Sequence, residues 1–176
     1  MPFAIVLLLD ETSDLRVRQI WTALDDQRVT SLGSIPSSDY HPHVTLTVFE
    51  HGDPAQLAGI LSPVAQRAVG VPLSLAALGF FLTNEAPAFL DVIPSSRLLS
   101  VHRAVHDAIQ PVVDGIGPYY RPDALLPHCT LALGVTDKAR VIDIVSQFTL
   151  PIDAFAASLQ LVEIPGGHKR ISLTST

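Results

Sequence analysis

Apolar and polar positions along this chain fall into runs that switch between two periods, and the switches come in nearly the same order twice. Phe3 to Asp10 is a β-branched and apolar run ended by a carboxylate, which predicts a buried strand. Between Thr12 and about Gln27, Leu15, Ile20, Trp21 and Leu24 recur at roughly helical spacing, with Thr12 or Ser13 as the expected cap. Ser31 to Tyr40 is rich in Ser, Gly and Pro and reads as a loop. A strand follows over about His43 to Glu50, and Asp53-Pro54 opens a second helix that reaches about Val69. Val71 to Leu82 and Ala88 to Ile93 read as two strands joined through Thr83-Asn84-Glu85.

The remaining residues repeat this order. Ser95 or Ser96 caps a helix running to about Val113, a loop passes through Gly115, Gly117 and Pro118, and a strand covers about Leu125 to Gly134. A short helix from Thr136 or Asp137 to Phe148 leads into strands near Ala154–Ile164 and Lys169–Leu173, with Pro165-Gly166-Gly167 as the turn between them. A shift of 85 residues lays Phe3 on Ala88, the first helix on Arg97–Val112, and Val71 on Ala156. Few identities survive, so the repeat is one of pattern. It predicts two βαβ-type lobes about a pseudo-two-fold axis, with no linker between them. The whole, residues 1–176, is then a single bilobal domain with approximate repeats 3–82 and 88–173.

The same shift superposes two short segments. His43-Val44-Thr45-Leu46 follows Pro42, and His128-Cys129-Thr130-Leu131 follows Pro127. In a strand, residues i and i+2 share a face, so each histidine projects beside its threonine while Val44 and Cys129 turn into the core. A proline at a strand entrance is tolerated because the first residue can forgo its ladder hydrogen bond. Two such segments at equivalent places point to a duplicated half-site, with both motif strands side by side at the axis and both histidines facing one cleft.

Composition narrows the setting. With 48% hydrophobic and 16% charged residues the chain is compact and folded. Phe3–Leu9 is too short to span a bilayer and lacks the basic flank and cleavage site of a secretory signal, so a cytoplasmic location and no membrane association are expected. A lone Cys129 excludes an intramolecular disulfide. The formal charge of −6 argues against sequence-independent binding to long nucleic acid, while leaving room for a pocket that holds one phosphate. A monomer is expected.

Pro42-His43-Val44-Thr45-Leu46 and Pro127-His128-Cys129-Thr130-Leu131, with the N-terminal strand and the element order over nearly the whole chain, resemble the two-histidine (2H) phosphoesterase superfamily of 2′-5′ RNA ligase-like proteins and cyclic phosphodiesterases. The resemblance implies a bilobal α+β fold with antiparallel sheets lining a central cleft, and phosphodiester chemistry that needs no metal or other cofactor. It implies a small nucleotide or a short RNA with a 2′,3′-cyclic phosphate or a 2′-5′ linkage as substrate. One departure stands out. Ala132, Leu133 and Gly134 occupy the place where RNA ligase-like members often carry an arginine, so the phosphate-clamping cation is either missing or supplied by Arg121, Lys169 or Arg170.

The residue types suit that chemistry. Cleaving a phosphodiester requires one group to take a proton from the nucleophile and another to give one to the leaving oxygen, and histidine, with an ordinary pKa of about 6.5, does either near neutral pH. His43 and His128 are the expected acid–base pair, and Thr45 and Thr130 the expected donors to the phosphoryl oxygens. Further candidates for substrate contact are His41 as a rim residue, Tyr120 and Arg121 just before the second motif strand, and Phe81 on the cleft side of a strand pair Phe80/Phe81. Cys129 points away from its neighbouring histidine and is not expected to be a nucleophile.

Other readings stay open. His41, His43 and His128 together would make a three-histidine zinc site. Another small phosphodiester, such as an ADP-ribose cyclic phosphate, or a role in binding nucleotide or RNA ends without turnover, are the alternative functions. His102 and His106 lie one helical turn apart and are read as a polar helix face, and His168 as a solvated turn residue.

Overall fold

The computed structural model describes residues 2–173. Their order is β1 (Phe3–Leu9), α1 (Glu11–Asp26), β2 (His43–Phe49), α2 (Pro54–Ala68), β3 (Pro72–Phe80), β4 (Ala88–Val92), α3 (Ser96–Ile109), β5 (His128–Ala132), α4 (Lys138–Val145), β6 (Ile152–Glu163) and β7 (His168–Ser172). The fold is α+β, and every strand pair is antiparallel. No helix among the described residues is long and apolar enough to cross a membrane.

Strand order is β2-β1-β6-β3-β4-β5, with β7 added to β6. The third strand of each repeat leaves its own half: β6 pairs with β1, and β3 pairs with β4. The two halves join where Pro72–Leu75 of β3 runs against Ile152–Phe155 of β6. This exchange corrects the expectation that the motif strands are neighbours at the axis. β3 and β6 occupy the centre, while β2 and β5 lie at the two ends of the order. The sheet then bends so that β2 and β5 come within 8 Å, Cα to Cα, without forming a ladder.

Alternation along β1 shows how the layers divide. Ile5, Leu7 and Leu9 enter the main core with Val17, Ile20 and Leu24 of α1 and Leu57 and Leu61 of α2, whereas Ala4 and Val6 face the other way and pack on Val162. Helices therefore cover one face of each sheet, and the opposite faces line the cleft. Trp21 is 3% exposed, as its helical position implies.

Caps come from residues just outside the periodic runs. Asp10 caps α1, its carboxylate accepting from the Ser13 N–H at 3.1 Å, so Ser13 is a capped residue rather than the cap. The other Asp10 oxygen accepts from the Phe155 N–H at 2.8 Å and ties α1 to β6. Asp53, Ser95 and Asp137 cap α2, α3 and α4. The His102/His106 face is another correction. His102 is 2% exposed and its Nε2 donates to the Tyr120 carbonyl at 2.8 Å, because the loop ahead of β5 folds over α3 and covers it. His168 opens β7 and is exposed.

Candidate active site

His43 and His128 each open a motif strand and are built alike. The Nδ1 of His43 bonds the carbonyl of His41 at 2.6 Å, and the Nδ1 of His128 bonds the carbonyl of Leu126 at 2.7 Å. A carbonyl only accepts, so each Nδ1 carries the hydrogen and each Nε2 is left for chemistry. Val44 and Cys129, the alternate residues, are fully buried, and Thr45 and Thr130 return to the histidine face. No hydrogen bond within the described residues occupies either threonine hydroxyl.

The two imidazoles sense each other. His43 is held below its ordinary pKa of 6.5 mainly by burial, with the charges of His128 and His41 acting in the same direction and the His41 carbonyl opposing them. His128 is also lowered by burial, against the pull of the Leu126 carbonyl and the Asp91 carboxylate. The strands are close here as well: the backbone of His43 stands near enough to the Cys129 thiol to favour its ionised form, but burial outweighs it and pushes the thiol up to about 12.

The surroundings of the two histidines differ. His43 lines a pocket of about 220 Å³ with Tyr40, His41, Gln160 and Lys169, over a floor that includes Val6 and Leu8. Tyr40 stacks on the His43 ring, 6.1 Å between centroids at 18°. The Tyr40 hydroxyl accepts from the Gly166 N–H at 2.8 Å, which fastens the β6–β7 turn to the entrance of β2. His128 sits in an aromatic corner instead, with Phe81 edge-on at 5.0 Å and Phe89 tilted at 5.0 Å. Gly79 makes room for that corner, since a Cβ there would lie 2.5 Å from the Phe89 ring.

The structure thus gathers His43, Thr45, His128, Thr130, His41 and Phe81 around the two motif strands. His41 accepts at Nδ1 from Arg18 at 2.8 Å, and Arg18 in turn grips Asp14 one helical turn earlier at 2.5 Å. Among the described residues no group of three His, Cys, Asp or Glu side chains is placed to hold a metal ion. Tyr120 is half-buried against the loop, its hydroxyl raised by burial and by the charge of Glu85, and Arg121 is exposed outside the His43 pocket. Of the three cations that could serve as a clamp, Arg170 is ion-paired to Glu163, and Lys169 lines the pocket. Sequence reasoning passed over Tyr40, on the loop just before the first motif, and Arg18, Gln160 and Phe89, which stand on a helix and two strands remote from the motifs. Only the folded packing of α1, β4 and β6 brings the last three to the motif strands.

A family model described as the 2′-5′ RNA ligase superfamily matches residues 13–168. Among solved structures, E. coli LigT complexed with NADP+ is similar at 15% identity and a TM-score of 0.54, covering 98% of this chain and 97% of that one. The MHV ns2 PDE domain is similar at 14% identity and a TM-score of 0.53, covering 93% of this chain and 99% of that one. A crystal structure described as a phosphoesterase reaches 16% identity and a TM-score of 0.52, with 98% of both chains covered. At these identities the likeness establishes the fold. No curated protein matches the sequence.

Proposed function

The chain belongs to the 2′-5′ RNA ligase superfamily, within the 2H phosphoesterases, and from that premise we propose that it is a metal-independent phosphodiesterase acting on 2′,3′-cyclic phosphate or 2′-5′ linked ends of nucleotides or short RNA. The observation that carries the reading is the matched pair of imidazoles, each with Nδ1 locked on the carbonyl two residues back and Nε2 unencumbered. One neutral and one protonated Nε2 on either side of a phosphorus are what acid–base cleavage requires, each contributing about 10²–10⁴-fold in rate.

Thr45 and Thr130 hold the non-bridging oxygens, where charge builds in the transition state. Lys169 supplies the cation that the segment Ala132-Leu133-Gly134 lacks, from β7 rather than from the end of the second motif strand. Phe81, half-buried and backed by the buried Phe89, offers a face for a base. By microscopic reversibility the same site joins ends when a 2′,3′-cyclic phosphate meets a free hydroxyl.

The test is hydrolysis of a short RNA ending in a 2′,3′-cyclic phosphate, in excess EDTA, with the product linkage identified by chromatography. Turnover that survives chelation and disappears in folded His43→Ala and His128→Ala proteins supports the reading. Turnover restored only by added zinc moves His41, His43 and His128 into the role of ligands. Binding without turnover in either condition favours an end-binding module.

A further inference from the structure

The two half-sites differ at one place that the repeat does not foresee. Across β4 and β5 the register partner of His128 is Asp91, whereas across β1 and β2 the partner of His43 is Leu8. Directly opposed residues of an antiparallel pair carry their Cβ atoms about 4.5–5.5 Å apart on one face. A carboxylate therefore stands beside one imidazole, and an isobutyl group stands beside the other. Phe89, opposite Thr130, flanks the same imidazole and keeps that neighbourhood poor in water.

The remaining groups sharpen the contrast. His43 faces His128 from β5, His41 and Tyr40 from the loop before β2, Asp39 from the same loop, and Lys169 from β7. Both neighbouring imidazoles work against a proton on His43. His128 faces Asp91 from β4, Phe81 beyond β3 and Phe89 from β4. The carboxylate works for a proton on His128, against the burial that disfavours one. If a single proton is shared between two imidazoles in mutual repulsion, the one beside the carboxylate keeps it.

We propose that Asp91 is a positioning residue that keeps the proton on His128, making His128 the general acid and His43 the general base in cyclic phosphate hydrolysis. The assignment rests on the phosphodiesterase reading above. His43 Nε2 takes a proton from water as the water oxygen bonds to phosphorus. The bond from phosphorus to the departing ribose oxygen breaks, its electron pair stays on that oxygen, and His128 Nε2 delivers the proton to it. One water is consumed, a phosphomonoester and a ribose hydroxyl form, and exchange with solvent restores both rings.

Two measurements test it. The first compares the cyclic phosphate with an analogue in which sulfur replaces the ribose oxygen whose bond the wild type cuts, because a thiolate leaves without being protonated. His128→Ala is expected to lose about 10²–10⁴-fold on the oxygen substrate and to recover most of that on the sulfur one, while His43→Ala recovers nothing. The second is the pH dependence of kcat/KM in Asp91→Asn, which keeps the side chain's shape. Its alkaline limb, where the acid loses its proton, is expected to move to lower pH while the acidic limb stays in place. The defect of Asp91→Asn is also expected to vanish on the sulfur substrate, which a merely structural role for Asp91 would not produce. Recovery at His43→Ala instead, or a pH profile for Asp91→Asn that overlays the wild type, overturns the assignment. A wild type inert on both substrates overturns the phosphodiesterase reading and the assignment with it.

Discussion

The backbone of His43, at the start of β2, stands close enough to the Cys129 thiol on β5, one residue along from His128, to favour the thiolate. That proximity links the two motif strands without any ladder between them. Cys129 is fully buried, and its thiol is pushed up to about 12, so it is not a nucleophile at neutral pH. The native protein is expected to resist a thiol-alkylating reagent at pH 7.5 and to take up one equivalent once unfolded in urea. Fast labelling of the folded protein would mean that β2 and β5 part readily. Replacement by the larger Leu is expected to cost about 1–3 kcal/mol and to lower kcat by spreading the strands.

Gly167 sits at φ +68°, and a Cβ on it would lie 2.4 Å from the Tyr40 ring. Gly167→Ala is therefore expected to push Tyr40 off His43 and to cost about 1–3 kcal/mol in urea unfolding, with a matching loss of activity. Gly70 has a similar φ of +76° but nothing within 4 Å of its Cβ position, so Gly70→Ala isolates the backbone cost. Equal losses in the two variants, with activity kept in both, would show that the Tyr40 contact does nothing for the site.

Lys169 is expected to act on binding of the phosphate more than on proton transfer. Lys169→Ala should raise KM several-fold on a cyclic phosphate and leave kcat within about twofold, and Lys169→Arg should restore most of the loss. The KM of the wild type should rise with salt more steeply than that of Lys169→Ala, since an exposed cation is screened. A salt dependence unchanged by the substitution would remove Lys169 from the site.

Stability should depend on pH through three histidines. Burial is the leading cause that holds His43, His102 and His128 below their ordinary value of 6.5 in the folded protein. The unfolded chain then binds more protons than the folded one as pH drops below about 6.5, and stability falls in that window. Above it the contribution is fully present, and below the depressed folded values the loss levels off. Urea midpoints measured from pH 8 to pH 5 should be flat at first and then decline, with a shallower decline in His102→Gln. A midpoint that rises on acidification would contradict the burial of these rings.

Much of this was readable before folding because the information is local. A period of two beside a period of 3.6, with Asp53, Ser95 and Pro165-Gly166-Gly167 at the joints, is enough to place the elements in order. The motif histidines and threonines were legible for the same reason, since i and i+2 share a face whatever the sheet. What could not be read was long-range pairing. That β3 and β6 change partners, or that Asp91 opposes His128 while Leu8 opposes His43, depends on register, which a single residue of slip reverses. His102 looked like part of a polar face because nothing in its own helix announces that the Tyr120 loop folds over it. Asp10 was hidden as a cap by the better-looking Thr12 and Ser13 just behind it.

The exchange of third strands makes the spacing between His43 and His128 a property of the entire chain. Cut between Leu82 and Ala88, the protein would yield two pieces that each hold one motif histidine and lack the strand their sheet must borrow. The short junction of Pro72–Leu75 on Ile152–Phe155 acts like the pivot of a caliper, whose jaws are β2 and β5. A change at that pivot, far along the chain from either imidazole, would reset the gap into which a phosphate must fit.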